Sequence, residues 1–209
     1  MSENSPIRIL SVDDHPALRE GIATIINQEP DMQLVAQAST GHDAVLRFRE
    51  FQPDVTLMDV RLPDIGGIDA LVAIRDEFPK AKVIMLSTFQ GDAEITRSLA
   101  AGARGYLLKS MAPDEMFTMI RTVHADKKCI PTRLAEQLAE HIATEPLTEG
   151  EIEVLQLVAA GTANREIGKA LFITEQTVKA HLRHIMQKLE AKDRTQAVTI
   201  AVRRGIMPL

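Results

Sequence analysis

Four short apolar segments of this chain each end on a polar residue capable of chemistry. Asp13-Asp14 follows Ile7-Arg8-Ile9-Leu10-Ser11-Val12, and Asp59 ends Val55-Thr56-Leu57-Met58. Ser87 ends Val83-Ile84-Met85-Leu86, and Lys109 ends Gly105-Tyr106-Leu107-Leu108. Each segment is short and partly β-branched, which is the pattern of a buried strand. Helical periodicities separate the segments, so the strands should run parallel. An open parallel sheet binds ligands outside the carboxyl ends of its strands. Three carboxylates, a hydroxyl and an ammonium are therefore expected at one edge, a set that suits a hard cation and a phosphoryl group.

The first 125 residues read as five strand–helix units. Strands are expected at Ile7–Val12, Gln33–Ala38, Val55–Asp59, Lys82–Ser87 and Gly105–Lys109. Helices are expected from Pro16 to Gln28, from a Ser39 or Thr40 cap to about Phe51, after the Gly66-Gly67 turn to about Phe78, from Asp92 to Ala101 and from Pro113 to Ala125. The fold class is α/β: a five-stranded, parallel, doubly wound, flavodoxin-like sheet. Residues 126–145 read as a linker holding a helix over Thr132–Ile142, with Leu134, Leu138 and Ile142 on one stripe.

Residues 146–209 read as a four-helix, all-α domain. Thr148 and Glu151 make a capping box, Ile152, Leu155 and Ala159 give an apolar stripe, and Gly161 ends the first helix. Ala163–Leu171, a helix from Thr174 to Leu189 and Arg194–Arg204 complete it.

Charge separates the two parts. The chain carries −5 overall. Residues 1–145 hold 15 Lys+Arg against 22 Asp+Glu, whereas residues 162–209 hold 9 against 4. The basic excess lies where a polyanion could bind, although a solvated basic helix face reads the same way. No run approaches the roughly 18 apolar residues of a membrane span. The single cysteine excludes an internal disulfide and a cysteine-rich zinc site. The polar start of the chain passes straight into a strand, so no signal peptide and a cytoplasmic location are expected.

Clustered carboxylates repel one another and need a cation or a shared proton. Asp14 and Asp59 could each give an oxygen to Mg²⁺, and Asp59 could act as a nucleophile toward phosphorus. Lys109 and the Ser87 hydroxyl would then bond the phosphoryl oxygens. Taken singly, each residue is as readily a solvated turn or a surface charge.

Val12-Asp13-Asp14-His15, Leu57-Met58-Asp59-Val60-Arg61-Leu62-Pro63, Leu86-Ser87-Thr88 and Gly105-Tyr106-Leu107-Leu108-Lys109 together resemble the receiver domain of two-component response regulators. The resemblance covers residues 7–125. It implies that Asp59 accepts phosphate from a histidine kinase. It also implies that Asp13, Asp14, Asp59 and the Arg61 carbonyl serve Mg²⁺. By the same resemblance Lys109 bonds the phosphate, and Ser87 and Tyr106 form a switch pair in which the Tyr106 ring leaves the surface when the Ser87 hydroxyl moves inward. Ser87 stands where Thr is commoner and keeps the hydroxyl. Phosphohydrolases that use an aspartate nucleophile carry a second Asp two residues on as general acid. Arg61 fills that position here, which argues against turnover of external substrates. Asp13-Asp14-His15-Pro16 offers no glycine-rich nucleotide cradle.

In the basic domain the second and third helices and their short connection suit a helix-turn-helix. Val178, Leu182, Ile185 and Leu189 face a core, with Lys179, Ala180 and Arg183 opposite them. A small interaction bundle with a solvated basic face fits that pattern equally well. The segments Leu147-Thr148-Glu149, Gly161-Thr162-Ala163-Asn164-Arg165-Glu166-Ile167, Thr177-Val178-Lys179-Ala180-His181 and Lys188-Leu189 resemble the LuxR-type DNA-binding domain. That resemblance implies groove contacts from Lys179, Ala180 and Arg183, and backbone or capping roles for Asn164, Arg165, Thr174 and Thr177. It also makes the last helix a dimerisation candidate.

The combined expectation is a NarL/FixJ-type regulator that is no enzyme beyond its own phosphoryl transfer and autodephosphorylation. Its expected partners are a histidine kinase, double-stranded DNA, RNA polymerase and a second copy when phosphorylated. A regulator that works without phosphorylation, using its receiver only to dimerise, is the alternative. A small-molecule sensor of the same DNA-binding class would need an apolar pocket domain in place of the acidic one.

Overall fold

A computed structural model describes residues 5–88, 91–132, 134–135 and 145–207. The described residues form two compact units, an α/β unit in the N-terminal part and a helical unit in the C-terminal part.

The α/β unit runs β1 (Ile7–Val12), α1 (Pro16–Ile26), β2 (Met32–Ala38), α2 (Gly41–Phe51), β3 (Val55–Asp59), α3 (Gly67–Glu77), β4 (Val83–Ser87), α4 (Asp92–Ala100), β5 (Gly105–Leu108) and α5 (Pro113–His124). All strand pairs are parallel, in the order β2-β1-β3-β4-β5. Alternating residues feed two faces. Ile9, Leu57, Ile84, Leu86 and Leu107 pack with Ile22 and Ile26 of α1 and with Phe117, Ile120 and Val123 of α5. Leu10, Met58 and Met85, on the other parity, are also fully buried. A sheet covered on both faces explains why its strands read as continuous apolar runs rather than alternating ones. Each such side chain contributes roughly 1.5–3 kcal/mol of burial.

The strands and helices expected over residues 1–125 are all present, with ends shifted by a residue or two. α1 stops at Ile26, and Lys109 lies one residue past β5. Thr40 is the α2 cap, accepting from the Asp43 N–H at 3.1 Å. Residues after α5 return to the free edge of the sheet, where Cys129 bridges to Gly105. Thr132, Leu134 and Ala135 are helical. The rest of the helix expected over Thr132–Ile142 lies outside the described residues.

The helical unit runs α6 (Glu149–Ala159), α7 (Asn164–Ala170), α8 (Glu175–Lys188) and α9 (Arg194–Arg203). The capping box is complete: the Glu151 N–H donates to Thr148 Oγ1 at 3.3 Å, and the Thr148 N–H donates to Glu151 Oε2 at 2.8 Å. Lys188 from α8 reaches the same Oε2 at 2.9 Å, so this carboxylate ties two helices together. Burial opposes the charged form of Glu151, but the Thr148 N–H and Lys188 outweigh it and hold the pKa below its usual value. The buried face of α6 is Glu151, Val154 and Leu155; Ala159, expected on the stripe, is exposed. Taking Glu151 inward rotates the helix so that Val154 enters the core.

Between α7 and α8 the chain turns at Phe172, which has φ 55°. Gly168 permits this closeness, because a Cβ there would lie 2.8 Å from the Ile173 carbonyl oxygen. Val178, Leu182 and Ile185 are buried together with Ile167, Ala197 and Ala201. The apolar side of α9 thus serves this unit's own core, with Val198 and Val202 partly buried against it.

Gly150 sits in the first turn of α6, and a Cβ there would meet nothing within 4 Å. Gly150→Ala should stabilise this unit by roughly 0.5–1 kcal/mol through helix propensity alone. Urea titration followed by circular dichroism checks this; an unchanged or lowered midpoint would refute it.

Candidate functional site

The strand order reverses between β1 and β3, which places a crevice at their carboxyl ends. Asp13, Asp59 and Lys109 meet there. Lys109 Nζ lies 2.6 Å from Asp13 Oδ2 and 2.7 Å from Asp59 Oδ2. All three side chains are nearly or fully buried. Asp14, 36% exposed, stands at the mouth. One donor atom from each of Asp13, Asp14, His15 and Asp59 lies within 4.8 Å of the others.

Local folding builds this arrangement. The Asp13 main chain is held by β2 through its N–H to Ala38 at 3.1 Å and by Arg19, which donates to the Asp13 carbonyl at 2.7 Å. The Arg61 N–H donates to Asp59 Oδ1 at 3.2 Å, fixing the loop after β3 to the carboxylate. Gly67 is required where α3 begins, because a Cβ there would lie 1.8 Å from the Asp59 carbonyl oxygen. Asp64 anchors the same loop from outside, accepting from the Gly41 and His42 N–H groups at 2.7 and 2.9 Å. Burial opposes its ionisation, yet these bonds hold its pKa far below the usual carboxylate range.

Electrostatics within the site are under tension. Burial pushes the Asp59 pKa up, more than Lys109 and the Arg61 N–H pull it down, and Asp13 adds repulsion. Burial also works against the Lys109 ammonium, but Asp13 and Asp59 together raise its pKa, so it stays charged. One ammonium thus serves two carboxylates. Asp13 Oδ2 is buried and meets Lys109 as an ion pair without an aligned hydrogen bond. Oxygen donors of this kind fit a hard divalent cation, which would relieve the repulsion.

Ser87, 2% exposed, and Tyr106, 0% exposed, occupy β4 and β5 beside this edge. The Tyr106 ring, expected to leave the surface on activation, is already fully buried here. His15 and Asp64 carry no assigned role in the sequence, and Gly67 reads there only as a turn residue. The histidine directly after Asp13-Asp14 and the Gly66-Gly67 pair were the available signals.

On the helical unit, Lys179 and Arg183 of α8 are exposed and Ala180 is half-buried between them. Lys179 pairs with Glu175 at 2.8 Å, and that pairing lowers the Glu175 pKa. Thr174 caps α8, accepting from the Thr177 N–H at 3.1 Å, with the two hydroxyls 2.8 Å apart. Arg165 is exposed at the start of α7, whereas Asn164 Oδ1 beside it is buried with no hydrogen bond among the described residues.

Comparison with known proteins identifies both units. Residues 9–121 match the family model of the response regulator receiver domain, and residues 145–201 match that of the LuxR family of bacterial regulatory proteins. The chain is 41% identical over 213 residues to the uncharacterized transcriptional regulatory protein YxjL of Bacillus subtilis, covering 96% of this chain and 97% of that protein. It is 34% identical to the response regulator protein VraR of Staphylococcus aureus, covering 96% and 99%. Among solved structures, the response regulator ChrA of a heme-sensing two-component system is 31% identical, with a TM-score of 0.59, covering 97% of this chain and 100% of that one.

Asp59 should be a destabilising charge. A carboxyl group whose pKa is raised by folding favours the folded state below its unfolded pKa, about 3.8. That advantage is lost as pH rises through the folded value. Asp59→Asn should therefore raise neutral-pH stability, by on the order of 1 kcal/mol as relief at functional sites commonly does. The gain should vanish below about pH 4. Thermal unfolding from pH 3.5 to 7.5 measures this; a variant less stable than wild type at pH 7 would contradict it.

Proposed function

Since the chain belongs to the response regulators that join a receiver domain to a LuxR-family DNA-binding domain, we propose that Asp59 is the phosphoacceptor whose occupancy controls that DNA binding. In this reading the receiver spans residues 1–125, a linker 126–145 and the DNA-binding domain 146–209. The observation that carries the reading is the convergence of Asp13, Asp59 and Lys109, with both carboxylates within 2.7 Å of one ammonium.

The donor is a phosphohistidine of a partner kinase. An Asp59 carboxylate oxygen attacks phosphorus in line, the P–N bond breaks, and its electron pair leaves with the imidazole nitrogen, which takes up a proton. Burial makes the carboxylate more basic and so a better nucleophile, while Lys109 keeps it available as an anion. Asp13, Asp14, Asp59 and the Arg61 carbonyl would hold Mg²⁺, which supplies positive charge to the phosphoryl oxygens when bound. Once an Asp59 oxygen carries the phosphoryl group as an acyl phosphate, Lys109 turns from pairing with the carboxylate to bonding a phosphoryl oxygen. The Ser87 hydroxyl bonds another. That change at the end of β4 biases the packing around Tyr106, and the altered surface pairs two receivers. The chain's own catalysis ends with hydrolysis of this acyl phosphate. In this reading RNA polymerase is a candidate partner at the promoter.

Pairing the receivers brings two α8 helices to half-sites about 34 Å apart. Lys179, Ala180 and Arg183 then face the major groove, where the small Ala180 lets the backbone approach. Asn164, Arg165, Thr174 and Thr177 lie toward the phosphates.

A small phosphodonor with Mg²⁺ should add one phosphate by intact-protein mass, abolished in Asp59→Ala. Light scattering should then show a dimer only for the phosphorylated wild type. Phosphate gain persisting in Asp59→Ala would remove that residue from the role. Unchanged mass in solution together with unchanged DNA affinity would favour a regulator that works without phosphorylation.

DNA titrations at several salt concentrations separate the roles on α8. Arg183→Ala should cost about 1–3 kcal/mol on the cognate site and relax one base position. Lys179→Ala should weaken all sequences alike and lower the salt slope by roughly one. Because Lys179 must leave Glu175 to reach DNA, Glu175→Gln should strengthen binding. Wild-type affinity in both alanine variants would refute the assignment of α8.

A further inference from the structure

His15 stands outside the oxygen set considered so far, yet it lies against it. Its Nδ1 is 2.6 Å from Asp14 Oδ1 and 3.4 Å from Asp13 Oδ1. Its main chain is fixed by an N–H bond to Asp13 Oδ1 at 2.9 Å and by its place as the residue capping α1, just before Pro16. The ring itself is 71% exposed, so it can reorient without disturbing the core. An imidazole is therefore held at the mouth of the carboxylate cluster by its backbone, with its ring able to turn toward an ion there.

Imidazole nitrogen is a poor donor for Mg²⁺, which is small, hard and reluctant to lose water. It is a good donor for borderline ions of the later first transition row, whose affinities for mixed nitrogen and oxygen sites exceed those of the harder ions. An all-oxygen receiver site would discriminate between these classes only weakly. A nitrogen donor added beside Asp14 changes that balance without changing the charge of the site.

Resting on the reading of Asp13, Asp14 and Asp59 as a divalent-cation site, we propose that His15 Nδ1 is a direct ligand when that site holds a borderline divalent ion such as Fe²⁺, Co²⁺ or Zn²⁺. Mg²⁺ binds through oxygen alone. The site then accepts two classes of ion by two ligand sets, and His15 sets the preference between them. His15 leaves Asp14 Oδ1 as the ion arrives, so both groups turn from each other to the metal.

Isothermal titration of the full chain with Co²⁺ and, separately, with Mg²⁺ tests this in wild type and His15→Phe. The variant should lose about tenfold in Co²⁺ affinity at the site that Mg²⁺ competes for, while Mg²⁺ affinity stays within about twofold. In the Co²⁺ form, a hyperfine-shifted exchangeable imidazole proton in the NMR spectrum should be present in wild type and absent in the variant. Unchanged Co²⁺ affinity with unchanged shifted resonances would overturn the ligand assignment. Equal loss of both ions would also overturn it, making His15 a support for Asp14 alone. Mg²⁺ binding that is absent from wild type, or indifferent to Asp13→Asn, would instead overturn the underlying cation site.

Discussion

Two carboxylates buried at the ends of adjacent parallel strands share one ammonium, that of Lys109. Asp13 and Asp59 both press on Lys109, and much of the α/β unit exists to hold them in that position. The reversal of strand order between β1 and β3 opens the crevice they occupy. Arg19 and the Arg61 N–H pin their main chain or carboxylate, and the close approach of Gly67 to the Asp59 carbonyl sets the start of α3. An excess of buried negative charge is unfavourable in a resting domain, and it leaves the site poised for a cation and for a change of charge at Asp59.

The helical unit uses a comparable device for a different purpose. Glu151 is buried like Asp59, but the Thr148 N–H and Lys188 satisfy it, and its pKa is lowered rather than raised. The contrast separates a carboxylate whose charge is satisfied from one whose charge is not. The first has donors enough to stabilise its charge and locks α6 against α8. The second shares the Lys109 ammonium with another carboxylate, and burial keeps its charge unfavourable.

Between the two units runs one functional logic. In the proposed reading, phosphoryl transfer would change charge at the β3 end, Lys109 and Ser87 would respond to it, and the exposed side chains of α8 would act on a polyanion. Lys179 is paired with Glu175, so DNA contacted by this side chain would have to compete with an internal carboxylate for it. Such a pair gives up little energy when exposed, but it offers specificity through the difference between partners.

Composition and pattern alone determined the five parallel strands, because a sheet buried on both faces needs unbroken apolar runs, and these stand out in any sequence. The same runs located Asp13, Asp14, Asp59, Ser87 and Lys109 at one edge, since a residue closing a parallel strand has nowhere else to point. Helix caps at Thr40, Thr148 and Thr174 were legible because a cap acts over three residues. What depended on distant segments was decided only by the tertiary structure. Glu151 turns inward because Lys188 waits there, which moves Ala159 out of the core. Asp64 reaches back to Gly41 across 23 residues, Gly67 is needed because Asp59 passes beneath it, and the Tyr106 ring lies buried. His15 could be read as one residue after two aspartates, but its 2.6 Å approach to Asp14 arises from the turn that carries β1 into α1. Local chemistry is written in consecutive residues, whereas the sharing of one ammonium by two carboxylates is a property of the folded sheet.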